Sequence, residues 1–190
     1  MGSAVGWRDV LTPRRVLAAD GAQVLNTTSE TIMCPDYTFA ADSLEVGDAF
    51  KYTLFGSMST VITTPGTITL RLRWGGVGGT SLAASGAYAP DPTAASTTLS
   101  YCVEWYVVCR SVGATGSLLA FAKIVWSDFD DATVTTLKGN LDMAMAPTSA
   151  PAAVTVNTTT ANALSPTVQF SVATATTQAT NLLALLESLN

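Results

Sequence analysis

The chain contains no histidine. That removes the side chain that ordinarily titrates near neutrality, and with it Ser-His triads and the commonest metal ligand. Charge is scarce: Asp, Glu, Lys and Arg make up 12% of the 190 residues, against about 25% in ordinary soluble domains. Cations are scarcest, with nine Lys and Arg against fourteen Asp and Glu, a net charge of −5. No run of cations exceeds two, and only the TPRR stretch at residues 12–15 holds an adjacent pair, Arg14 and Arg15. A nucleic-acid partner requires a clustered basic patch, so none is expected. The three cysteines, Cys34, Cys102 and Cys109, form neither a CxxC nor an even framework. On one strand Cys102 and Cys109 would face opposite sides, beyond disulfide reach. Three buried free thiols made in a reducing cytosol are expected. Mean hydropathy is positive, yet there is no uninterrupted apolar run of about 20 residues, so no membrane helix and no membrane partner are expected. The opening MGSAVGWRDVLTPRRVLAADG lacks the apolar stretch of a signal peptide.

What is present is threonine, serine and small apolar residues arranged with a period of two. TITLRLRW (67–74) alternates without a fault: Ile68, Leu70, Leu72 and Trp74 point one way, and Thr69, Arg71 and Arg73 the other. The stretch 48–61 reads as a long strand with Phe50, Tyr52 and Leu54 on one face, opened by a Gly47-Asp48 turn. The TPG at 64–66 between these runs predicts that they form a hairpin. The strongest hairpin spans 100–126. Val103, Trp105, Val107 and Cys109 alternate against Cys102, Glu104, Tyr106, Val108 and Arg110, and GATG (113–116) is the turn. Its second limb, Ser117–Trp126, is apolar on both faces apart from Lys123, which points to burial between sheets on one face and under a neighbouring subunit, or the arm, on the other. Residues 22–34, 153–159 and 167–177 are further weakly alternating strands, 81–96 reads as loop, 127–140 as a polar connection and 144–153 as an irregular Pro/Ala-rich segment. The leucines of 179–190 fit a helix or a final strand, and the preceding threonines favour the strand. The sum is an all-β chain: an antiparallel β-sandwich, a single jelly roll of about eight strands over residues 21–190, with an N-terminal arm or extended segment at 1–20.

The motifs that carry chemistry elsewhere have bland readings here. GGVGG (75–79) lacks the lysine and following helix of a phosphate loop and reads as a flexible turn. Asp128, Asp130 and Asp131 in SDFDD lack the glycine and distal glutamate of a calcium loop and read as a solvated acidic turn. Glu104 beside Trp105 and Tyr106 has the look of a sugar site, but strand alternation explains all three, and no second acid pairs with it. The NTT sequons at Asn26 and Asn157 carry no weight without a secretory signal. No enzyme activity, catalytic residue, metal, cofactor or small-molecule substrate is expected.

The order of SLEVGDAFKYTLFGSMST (43–60), TPGTITLRLRWGG (64–76), YCVEWYVVCRSVGATGSLLAFAKIVW (101–126) and AVTVNTTTANALSPTVQFSVATATT (153–177) resembles the small β-sandwich virion proteins of tailed bacteriophages. The resemblance covers residues 20–190 and rests on loose structural motifs. It implies a jelly roll, a homotrimer and a place on the virion, with synthesis in the host cytoplasm. The expected function is capsid decoration: a cement protein that bridges major capsid subunits on the shell surface. Its alternatives are a tail-tip or head-fibre module that binds a receptor or glycan through Trp74, Trp105, Tyr106 and Trp126, and a single-jelly-roll capsid protein. The candidate partner contacts are Trp7, Arg14 and Arg15 in the arm, and Arg71 and Arg73 on the polar face of 67–74. The two arginines are expected either to line a solvated edge or to pair with acids of a neighbouring protein.

Overall fold

The computed structural model describes residues 15–16, 21, 23–61, 66–87, 99–126, 143–145 and 152–190. Its strands, in chain order, are β1 Arg15–Val16, β2 Val24–Leu25, β3 Thr31–Ile32, β4 Tyr37–Phe39, β5 Ala49–Ser59, β6 Ile68–Trp74, β7 Thr80–Ala84, β8 Leu99–Ser111, β9 Gly116–Trp126, β10 Met143–Met145, β11 Val154–Val156, β12 Asn162–Phe170 and β13 Gln178–Ser188. There is no helix among the described residues. Every pairing is antiparallel. The strands form two sheets. The large one runs β1-β13-β5-β8-β9-β10, with β2 also on β13 and β11 also on β9; the small one runs β3-β12-β6-β7, with β4 also on β12.

Period two divides β6, β8 and β9 between a buried and an outward face. β6 buries Ile68, Leu70, Leu72 and Trp74, β8 buries Tyr101, Val103, Trp105, Val107 and Cys109, and β9 buries Leu118, Ala120, Ala122 and Ile124. The inward faces of the two sheets meet in one core. There Phe39 of the small sheet lies 5.0 Å from Phe50 of the large one and 5.4 Å from Trp74, ring centre to ring centre. The expected turns are in place. Gly47 has φ +95°, a value that favours glycine, and its N–H donates to the Cys109 carbonyl while Asp48 caps the Glu45 N–H. Residues 112–115 join β8 to β9, and the glycines of 75–79 join β6 to β7. Residues 179–188 are strand, not helix. All three cysteines are free, with Cys34 and Cys109 buried and Cys102 partly buried.

Four expectations are overturned. The TPG turn does not close a hairpin: β5 belongs to the large sheet and β6 to the small one, so the two strands do not pair. The 22–34 stretch is two short strands, β2 and β3, separated where Asn26 adopts φ 50°. Residues 81–84 of the expected loop belong to β7, paired with β6. The late strand is 162–170, not 167–177, and it runs through Pro166. Proline is tolerated there because its missing N–H lies on the side where the neighbouring ladder is broken. β12 pairs β4 at 162–164 and β3 at 167–168, and between them the Pro166 carbonyl accepts the Met33 N–H at 2.9 Å. Six of the strands have seven or more residues, and the rest are five or fewer.

One close approach locks the large sheet. Gly56 of β5 lies opposite Tyr101 of β8, and a Cβ at Gly56 would overlap the Tyr101 hydroxyl and the Thr180 carbonyl. Gly56→Ala is therefore expected to cost about 3 kcal/mol or more, because a backbone carbonyl and a buried ring must both move. Urea unfolding measures it. A loss under about 0.5 kcal/mol would mean that the β5–β13 ladder has slack at this point.

Candidate interaction surfaces

The outward face of the small sheet answers what the polar side of 67–74 does. β6 is not an edge: β12 flanks it on one side and β7 on the other. Arg71 and Arg73 share one carboxylate of their own chain, that of Glu30, just before β3. Arg73 grips it two-pronged, its Nη2 donating to Oε2 at 2.7 Å and its Nε to Oε1, while its Nη1 donates to the Gly79 carbonyl at 2.7 Å. Arg71 Nη1 donates to Glu30 Oε2 at 3.1 Å and to Gln169 Oε1 at 3.0 Å. The Thr167 hydroxyl donates to Glu30 Oε1. Burial alone would push the Glu30 carboxyl up. The hydrogen bonds from Arg73 and Thr167 and the charges of Arg71 and Arg73 outweigh it and hold the carboxyl below its ordinary range. The cluster pins the 27–32 segment across β12 and β6, and two cations over one anion leave it a single positive charge.

The outward face of the large sheet is different in kind. The ladders place side chains in rows across β13, β5, β8 and β9: Leu183, Phe55, Cys102, Val125; then Leu185, Thr53, Glu104, Lys123; then Glu187, Lys51, Tyr106, Phe121. Phe55 is 40% exposed and Phe121 45%. Tyr106 and Phe121 stack with ring centres 5.2 Å apart and planes 9° from parallel. Lys51 Nζ lies 3.0 Å from Glu187 and 3.6 Å from Glu104, and the Tyr106 hydroxyl donates to Glu104 at 3.2 Å. The Glu187 hydrogen bond, ahead of the opposing effect of burial, raises the Lys51 ammonium above its ordinary value. The two cations and two anions in these rows cancel. The second limb of the 100–126 hairpin is thus apolar on both sides as read from sequence: Leu118, Ala120, Ala122 and Ile124 face the core, and Leu119, Phe121 and Val125 face out.

The other sequence candidates fall as follows. The backbone of Arg15 belongs to β1, opposite Leu186 at the rim of the large sheet. Trp7, Arg14, and Asp128, Asp130 and Asp131 lie outside the described residues, as does the Trp126 side chain. Trp74 and Trp105 are in the core, and Trp74 Nε1 donates to the Asn157 carbonyl at 3.1 Å. Neither ring is available to stack on a sugar. Among the described residues no cluster of three or more potential metal ligands occurs, and no helix is long and apolar enough to cross a membrane. Sequence reasoning missed Glu30 and the Tyr106–Phe121 stack; the alternation of the first limb, with the GATG turn fixing its register against the second, was the signal for the stack.

Glu30→Gln keeps the shape of the side chain but leaves two guanidinium groups beside each other. It is expected to cost about 1–2 kcal/mol near neutral pH. A depressed folded-state pKa stabilises above the unfolded value, about 4.3, and the contribution is lost as pH falls through the folded value. The gap between wild type and variant should therefore close on acidification. Denaturant melts at neutral and acid pH check this; equal stability at neutral pH would show that the cluster holds nothing together.

Compared with known proteins, the chain matches no family model, no curated protein and no solved structure.

Proposed function

We propose that this chain is a structural virion protein of the decoration type, a cement protein that stabilises the capsid of a tailed bacteriophage by bridging major capsid subunits at the shell surface. In this reading the two sheets form a single jelly roll, three chains make a homotrimer, and residues 1–20 are an arm that reaches a neighbouring subunit. The sheet crossings between β5 and β6, β7 and β8, and β12 and β13 support the jelly roll. Pairing of Arg15–Val16 with β13 supports an arm that leaves from the rim of the large sheet.

The observation that carries the reading is the outward face of the large sheet. It combines exposed aromatic and aliphatic rows with charges that cancel, the composition of a surface that another protein covers. A chain with so few charges is better suited to an assembly than to life alone in solution. The glycan-binding alternative loses two of its four rings, Trp74 and Trp105, to the core.

Light scattering at micromolar concentration should give three times the 19.7 kDa chain mass. Removal of residues 1–14 should leave the circular dichroism spectrum and the melting temperature unchanged while attachment to capsid shells weakens. A truncated chain that binds shells as tightly as the full chain contradicts the arm's role, and a full chain that binds no shell contradicts the function.

A further inference from the structure

We infer that the outward face of the large sheet is occupied by a second copy of this chain, so that two copies meet sheet face against sheet face, centred on Phe55, Cys102, Tyr106 and Phe121. A face that meets its own copy makes a two-fold contact, which cannot close a three-fold ring, so this contact is additional to the one within the proposed trimer. The inference rests on the assembly reading only in requiring self-association; it does not require a capsid.

Three properties of the face select that occupant. The first is charge. The chain carries a net −5, so copies repel over most of their surface. Within the three rows Lys51 and Lys123 balance Glu104 and Glu187, and Lys51 is already paired to both glutamates at 3.6 and 3.0 Å. A strongly acidic or basic partner finds no counter-charge here, whereas a copy of the same face brings in a neutral surface whose ion pairs are already made. The second is area. Four strands of about eleven residues, spaced ~4.8 Å apart with a ~3.4 Å rise, present about 700 Å², close to the ~800 Å² per partner of a standard stable interface. The third is the side chains. Phe55 and Phe121 stand 40% and 45% exposed, and Val125, Leu119, Leu183 and Leu185 around them are only partly covered within the chain. The small sheet's outward face lacks this character: it is Thr38, Thr69, Gln169 and the Glu30 cluster.

Cys102 provides a reporter. It lies on this face between Phe55 and Val125, while Cys34 and Cys109 are in the core. With the full-length chain, the rate of Cys102 alkylation should fall about tenfold or more between ~1 µM and ~100 µM protein, as copies cover the thiol. Sedimentation of Phe55→Asp and Phe121→Asp should show association weakened about tenfold or more, since each places an unpaired charge in an apolar contact. Thr38→Asp, on the other sheet, should associate like wild type. Thermal melts establish that each variant is folded, and Phe121→Ser serves if the aspartate variant is not.

Slow alkylation at every concentration that persists in Phe55→Asp and Phe121→Asp would place a segment of the same chain on the face and overturn the inference. Fast alkylation at every concentration would leave the face bare between copies and overturn it too. A wild-type chain that stays monomeric yet binds shells overturns the inference and leaves the capsid function standing. Association that survives both aspartate variants overturns the choice of face alone.

Discussion

The two ladders of β5 hold this molecule together. On one side β5 pairs with β13 from Phe50 to Ser59, and on the other with β8 from Ala49 to Met58. One strand thus ties the early, middle and late parts of the chain into a single sheet. Every residue on it must face either the shared core or the outside, because its neighbours leave no third direction. Phe50, Tyr52, Leu54 and Met58 go inward and are buried; Lys51 and Phe55 go outward. The same partition passes along the ladders to β8, β9 and β13. A face that begins with Phe55 on β5 therefore continues as Leu183, Cys102 and Val125 without interruption.

The two outward faces solve the same problem in different ways. On the small sheet, Arg71 and Arg73 are paired by Glu30 of the same chain, and the surface is closed by hydrogen bonds to Glu30, Gln169 and the Gly79 carbonyl. That surface is complete by itself. On the large sheet the ion pairs of Lys51 are also internal, but the aromatic and aliphatic groups beside them remain half exposed. At about 25 cal/mol per Å² of apolar surface, covering that face is the larger remaining source of stability.

Local pattern made much of this legible. The β8–β9 hairpin was readable because its first limb alternates, its second is a long apolar run and GATG supplies a turn. The inward set of β6 was readable for the same reason, and the threonines before residue 179 pointed to a final strand. What alternation cannot say is which sheet a strand joins. TPG between two alternating runs is a good hairpin signal, but it was outweighed because both neighbours of β5, β8 and β13, lie far along the chain. Pro166 marked a break locally, and the strand continues through it because the missing donor faces a gap in the partner ladder. Glu30 stands 41 and 43 positions from the arginines it joins, and no local signal connects them. The polar role of Arg71 and Arg73 was visible, and their partner was not.

The central claim is that the large sheet's outward face is where copies of the chain meet. The most direct measurement is methyl NMR of the full-length chain followed across dilution. Concentration-dependent shifts are expected at Leu119, Val125, Leu183 and Leu185, whose side chains surround the Phe55–Phe121 patch, while Thr38 and Thr69 on the opposite sheet stay fixed. Spectra that do not change with concentration, or shifts confined to Thr38 and Thr69, would contradict the account.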